Sequence, residues 1–489
     1  MSGALTLQLT LLLPLLVMAG IALCRRHPDL RDGVTLIGAS VQLVLMLHLY
    51  QGFMSGDNAS VIWFELLPGL SLSFVLEPLG VLFALIIGFL WLITSLYAIG
   101  YMRGNKESDQ TRFYLLFALA ITAALGIAFS ANLFTLFVFY ELLTLSTFPL
   151  VTHKGSEKAM KAGRVYLGIL LFTSVGLLLP AIIWTWMLTG TTDFASAGIL
   201  AEHLDGPLVT VLALMFLLGI GKAAVMPVHR WLPAAMVAPT PVSALLHAVA
   251  VVKAGVFCVI KVVVYVFGLE LLQQAPGSEI LLYLAAFTVV SASVVALKQD
   301  NLKRRLAFST IGQLSYVVLG AMILAPISIL GASLHIAAHA FGKITLFFAA
   351  GSIYTATKKT EISQLNGIGH QMPITMAAFT IGSLSMIGLP PAVGFISKWY
   401  LLMGAIEAEQ QLAVAVILLS TLLNAAYFVP VIYAAYFKPA DVLPAVRKES
   451  PPVMVTALGI TAAMTLLLFA FPNRLFELAE QIRLVAALS

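Results

Sequence analysis

The amino-acid sequence predicts an all-α polytopic membrane protein with about fourteen transmembrane helices. Three observations carry that expectation. Of 489 residues, 60% are hydrophobic and only 10% are charged, whereas soluble domains are about one-quarter charged. The mean hydropathy is +1.00. Apolar runs of about twenty residues, the length that crosses a bilayer core, recur along the whole chain. Together these exclude a soluble multidomain protein.

Taken in order, the runs fall at about 4–24, 33–54, 76–101, 112–129, 131–151, 164–188 and 207–229, then 241–267, 279–298, 304–323, 326–356, 373–403, 411–436 and 452–471. The first has no basic stretch before it and no small-residue cleavage motif after it, so it reads as a retained span. Connections are short and leave no room for a soluble domain. The ending RLFELAEQIRLVAALS is too polar to span and predicts a short amphipathic tail. Cys24 and Cys258 lie in or beside apolar runs and offer neither a disulfide framework nor a metal cluster.

Charge distribution supports the span count. Twenty of the 27 Lys and Arg residues fall in the loops on one side, from Arg25, Arg26 and Arg31 through to Lys438, Arg447 and Lys448. Loops on the other side carry acids such as Asp57, Asp193, Glu202, Glu407 and Glu409. By the positive-inside rule, both termini are expected outside.

Five lysines remain within spans: Lys222, Lys253, Lys261, Lys343 and Lys398; Glu141 is the one acid at mid-span. An ionisable group at membrane depth costs several kcal/mol, so it faces a polar interior and marks an ion or proton path. Lys261, two turns beyond Lys253, is expected to extend its amine to the membrane surface. In span 7, FLLGIGKAAVMPVHRWLP puts Lys222 between a Gly pair and Pro227; in span 12, SMIGLPPAVGFISKWYLL puts Pro390 and Pro391 before Lys398. Proline removes a backbone donor, so both helices are expected to break beside their lysines. Span 11 places His335, His339 and Lys343 four apart, on one helical face. With His247 and Lys253 of span 8 they form a chain of titratable groups suited to proton relay. A His-x-x-x-His pair also binds zinc, but no third ligand is apparent, and no metal is expected. His153 and His229 lie near the inner surface, as proton-inlet groups or as ordinary interfacial histidines.

The segments PVHRWLPAAMVAPTPVSALLHAVAVVKAG, FVFYELLTLSTFPL, HAFGKITLFFAAGSIY and GLPPAVGFISKWYLL resemble the antiporter-like subunits of respiratory complex I, Mrp-type cation/proton antiporters and membrane-bound hydrogenases. The resemblance covers essentially all fourteen spans. It implies two inverted five-helix repeats, residues 112–267 and 279–436, with spans 7 and 12 broken. Residues 1–111 precede them, and 452–489 hold the last span and the tail. It also implies that Glu141 and Lys222 are a coupled carboxylate–lysine pair. His247, Lys253, His335, His339 and Lys343 would form a central hydrophilic axis, and Lys398 would be the terminal lysine. Lysine rather than glutamate in span 12, together with the length, fits the D-type subunit of Mrp antiporters or a hydrogenase-linked counterpart.

The expected function is therefore proton translocation by a subunit of a multisubunit complex in a bacterial or archaeal cytoplasmic membrane, with Na+ or K+ exchanged through a partner. The alternatives are a proton-pumping subunit of a complex I-like oxidoreductase or energy-converting hydrogenase, a self-sufficient solute transporter, and a non-conducting scaffold. The chain lacks ligand patterns for haem or iron–sulfur clusters and any nucleotide-binding loop. No cofactor is expected, and the partners are other membrane subunits and lipid, not nucleic acid.

Overall fold

The computed structural model describes residues 2–67, 69–245, 249–440 and 448–488. Among the described residues, ten helices are individually long and apolar enough to cross a bilayer. They supply span 1 (Gly3–Leu23), span 2 (Pro28–Met54), span 3 (Pro78–Gly104), span 4 (Gln110–Ala128), span 5 (Leu133–Val151), span 6 (Glu157–Thr189), span 9 (Glu279–Leu297), span 11 (Pro326–Thr357), span 13 (Gln411–Phe437) and span 14 (Pro452–Ala470). Span 10, Leu302–Met322, is a complete helix whose first turn carries Lys303, Arg304 and Arg305. Spans 7, 8 and 12 are built from shorter pieces.

Local chemistry sets the starts. Asn132 accepts from Thr135 N at 2.7 Å, Ser156 from Ala159 N at 3.2 Å, and Asn301 from Arg304 N at 3.1 Å. These side chains satisfy amides that a helix start leaves unpaired. Proline at the first helical position opens spans 2, 3, 7, 11 and 14, where its missing N–H costs nothing.

Span 11 is the central strut. Its 32 residues pack against spans 3, 10, 12 and 14, and everything from Ser328 to Ile353 is buried. Tyr97 of span 3 stacks on Phe348 with centroids 3.9 Å apart and donates to the Phe348 carbonyl at 2.8 Å. The tail forms the helix Asn473–Ala486, which buries Leu478, Ala479 and Ile482 against spans 3 and 11, as its amphipathic pattern predicts.

Two features depart from expectation. The connection between spans 2 and 3 is a two-stranded antiparallel hairpin, β1 (Ser60–Leu67) and β2 (Leu70–Val75). It ties three loops of the face opposite the basic loops: Asn132 Nδ2 donates to Ser71 O and Ser73 Oγ, and Asn132 bridges to Asp193. Among the described residues, span 8 is not a continuous α-helix over 241–267. It comprises Thr240–Ala244, a bend at Ala250, the helix Val251–Val262 and a π-helical turn Val263–Phe267. Lys253 consequently sits in the first turn of a helix rather than at mid-helix.

Candidate functional site

Span 7 stops at Gly219, makes one tight turn over Gly221–Ala223 and resumes at Val228. Lys222 lies in that break and is fully buried. Its Nζ donates to Tyr140 O at 2.8 Å and to Thr144 Oγ1 at 2.6 Å, and its amide donates to Tyr140 OH at 3.1 Å. The same Nζ is 3.2 Å from the Tyr140 ring centroid, a favourable seat for a cation. All of these partners flank Glu141 on span 5. A Cβ at Gly255 would stand 2.3 Å from Ala223 N, so only glycine lets span 8 press on the break.

Glu141 interacts electrostatically with Lys222 but does not form an ion pair with it among the described residues. Its Oε1 is buried without a hydrogen-bond partner. Val138 (38% exposed) and Leu145 (55% exposed) lie one turn to either side of it on the outward face of span 5. A half-buried carboxylate on such a face needs cover from another polypeptide to avoid lipid.

Span 12 repeats the device. The helix Pro373–Ile387 ends at Gly388, with φ +89°, and a second helix runs from Gly394 to Glu407. Lys398 on the second piece donates to Met386 O and Ile387 O, both at 2.9 Å. Those are carbonyls that the last turn of the first piece leaves without intrahelical partners. The lysine therefore replaces backbone pairing lost at the prolines.

Two lines of buried polar groups converge on Lys398. On one, Lys253 Nζ is bonded to His339 Nδ1. The His339 and His335 rings stack at 6.3 Å, and His335 Nδ1 lies 2.9 Å from Ser397 Oγ, next to Lys398. On the other, Lys343 Nζ donates to Ser309 Oγ at 2.8 Å, which is 2.9 Å from Tyr427 OH. Tyr427 OH donates to Asn424 Oδ1 at 2.5 Å, and Asn424 Nδ2 reaches Met386 O, the acceptor of Lys398. Every residue on both routes is at least 94% buried. Such a line of titratable and hydroxyl groups can pass protons stepwise.

Other expected members fall elsewhere. His247 lies outside the described residues, and no hydrogen bond among the described residues joins Lys222 to Lys253. On the basic face, His229 lines a cavity of about 730 Å³ with Lys158, Arg230, Arg304 and Phe308. His153, just after span 5, has Nε2 3.0 Å from Ser108 O in the loop between spans 3 and 4, and burial and then the adjacent Arg112 lower its pKa. Lys261 corrects its expectation. Rather than reaching the surface it is fully buried and ion-paired to Glu77, because the hairpin and its loops close over that end of span 8. Sequence reasoning also missed Ser309, Ser397, Asn424 and Tyr427, since hydroxyls and amides are common in apolar helices and carry no facing signal.

A family model for the transmembrane region of NADH:quinone oxidoreductase and Mrp antiporter subunits matches residues 130–424. The chain belongs to this family. Among curated members it is 35% identical over 387 residues to NADH-quinone oxidoreductase subunit N of Desulforudis audaxviator, covering 78% of this chain and 76% of that one. It is 29% identical over 443 residues to NADH-quinone oxidoreductase subunit L of Campylobacter jejuni, covering 89% and 71%. It spans about half the length of NAD(P)H-quinone oxidoreductase chain 5 of Synechocystis, at 31% identity over 70% of this chain. Two solved structures share the fold: a chain of the membrane-bound sulfane sulfur reductase, an archaeal respiratory complex (TM-score 0.86, 22% identity, 98% and 97% covered), and one of the Mrp complex from Dietzia (TM-score 0.82, 21% identity, 97% of each covered). Both interrupted spans, with Lys222 and Lys398, fall within the matched family region.

Proposed function

We propose that this chain moves protons across the membrane as one subunit of a multisubunit complex, with both termini outside. The observation that carries the reading is the buried polar line in which Lys253 is bonded to His339, the His339 and His335 rings stack, and His335 meets Ser397 beside Lys398, with Lys343 joined through Ser309 and Tyr427. Buried lysines and histidines alternate here with neutral donors that can reorient, which is the chemistry of proton hopping. Protons enter through the basic cavity beside His229, pass to Lys222 and Glu141, and leave from Lys398. Glu141 and Lys222 act as a charge switch. When they approach, the ammonium is stabilised; when they stand apart, the lysine can release its proton to the axis.

The half-buried Glu141 between the exposed Val138 and Leu145 supports a neighbouring membrane subunit covering span 5. For the complex itself, the lysine in span 12 and the full-length likeness to the Dietzia Mrp chain support the D-type subunit of a Mrp antiporter, with Na+ or K+ carried by a partner. The 35% identity to NADH-quinone oxidoreductase subunit N supports the second reading, a redox-driven pump. Read as two inverted repeats, residues 112–267 and 279–436 would set the broken spans 7 and 12 in equivalent positions. Membrane vesicles containing the assembled complex test the shared claim. Lys222→Ala and Glu141→Ala should each abolish cation-driven or redox-driven proton movement; native rates in both would refute it.

A further inference from the structure

The proton axis leaves unused a buried charged cluster on the face opposite the basic loops. Lys261 lies on the same face of span 8 as Lys253, eight residues on and about 12 Å along the helix at 1.5 Å per residue. Its Nζ is bonded to Glu77 Oε2 and donates to Ser130 O at 3.1 Å. The aromatic faces of Phe194 and Tyr265 stand 4.4 and 5.1 Å from it. Lys261 is fully buried, but the Glu77 side chain is 17% exposed, and Glu77 immediately precedes span 3 on the face opposite the basic loops. The pair therefore has one member inside the protein and one touching outer water. Beside it the buried Tyr265 hydroxyl has no hydrogen-bond partner among the described residues, although it interacts electrostatically with Glu77. Cys258, one turn back on span 8, interacts electrostatically with both Lys222 and Lys261.

We infer that Glu77 and Lys261 form a proton-release site for the first half of the molecule, separate from the route through Lys398. A purely structural pin is poorly served by this arrangement, because a buried ion pair gains little over apolar packing. The step balances simply. The Lys261 ammonium passes one proton to the Glu77 carboxylate, leaving a neutral amine and a neutral carboxyl group. The carboxyl then releases that proton to outer water and regains its charge. The amine recovers a proton from the Lys222 side through intervening water, restoring the pair. One proton leaves per cycle, and Lys222 can discharge without the histidines of span 11.

This inference rests on the proton-moving reading proposed for the whole chain, and its test separates the two. In vesicles bearing the whole complex in a Lys253→Met background, where only the first half still conducts, proton movement per assembled complex is compared for Glu77→Gln, Glu77→Asp and Lys222→Ala. Glu77→Gln should lower that residual movement by about tenfold, with Glu77→Asp retaining most of it. Residual movement per complex unchanged in Glu77→Gln, with loss in Lys222→Ala, overturns the release site alone; unchanged movement in both overturns the function as well. A lower yield of complex with unchanged turnover identifies a structural pin and also overturns the site. Should Glu77→Gln fail to assemble, the native complex decides. A hydrophobic carbodiimide reacts with protonated carboxyls, so Glu77 should be modified faster during turnover than at rest, as read by peptide mass spectrometry. Equal modification in both states contradicts the proposal.

Discussion

Tyr427 has a single hydroxyl placed between the lysine-bound Ser309 and Asn424, so it connects side chains contributed by spans 10, 11 and 13 to the carbonyl that holds Lys398. Replacing it with phenylalanine deletes that link and almost nothing else, since the ring still packs against Phe428. A hydrogen bond of this kind contributes about 1 kcal/mol to stability, so Tyr427→Phe should leave the complex assembled. Its proton flux should fall by about tenfold, the equivalent of roughly 1.4 kcal/mol on the transfer barrier. Stopped-flow measurement of vesicle acidification checks this. The lysines at this scale were legible in the sequence because a charge in an apolar run demands a reason. Tyr427 was not. Fourteen tyrosines occur in the chain, and nothing local says which hydroxyl faces a lysine two helices away. Lys261 was misread for a related reason: its partner Glu77 is 184 residues distant.

Elements show the same division. The interruptions in spans 7 and 12 could be read from Pro227, Pro390 and Pro391, because proline cannot donate into a helix. The bend of span 8 at Ala250 falls at neither a proline nor a glycine; it is a tertiary effect. Its neighbour is Gly255, whose closeness to the backbone of Lys222 and Ala223 joins the two irregular spans. Gly255→Ala should destabilise the complex by about 1–3 kcal/mol, as overpacking does. Gly459→Ala, at a position with open space around it, should be neutral. The thermal denaturation midpoints of the two purified variants give the comparison. The hairpin had a signal that an apolar-run scan ignores: Leu70-Ser71-Leu72-Ser73-Phe74 alternates with the period of two proper to a strand.

For the whole molecule, the expectation of about fourteen spans came from hydropathy, and the expected direction from the basic residues on one side. What the sequence could not supply was contact between helices far apart in the chain, which turned isolated lysines into a connected line. The orientation has its own check. In a Cys24→Ser background, Asn58→Cys should react with a membrane-impermeant maleimide from outside intact cells, whereas Glu157→Cys should react only after permeabilisation. The opposite pattern would invert the direction of every proton step proposed for this chain.

The central claim is that the buried line through Lys253 conducts protons. Its most direct test is the proton flux of the purified complex in liposomes, with native protein and Lys253→Met compared at equal content of assembled complex. Methionine keeps the length and packing of the side chain and removes the amine bonded to His339. Flux should collapse to a small residue sustained through the first half of the molecule alone. Flux equal to that of the native complex would contradict the account.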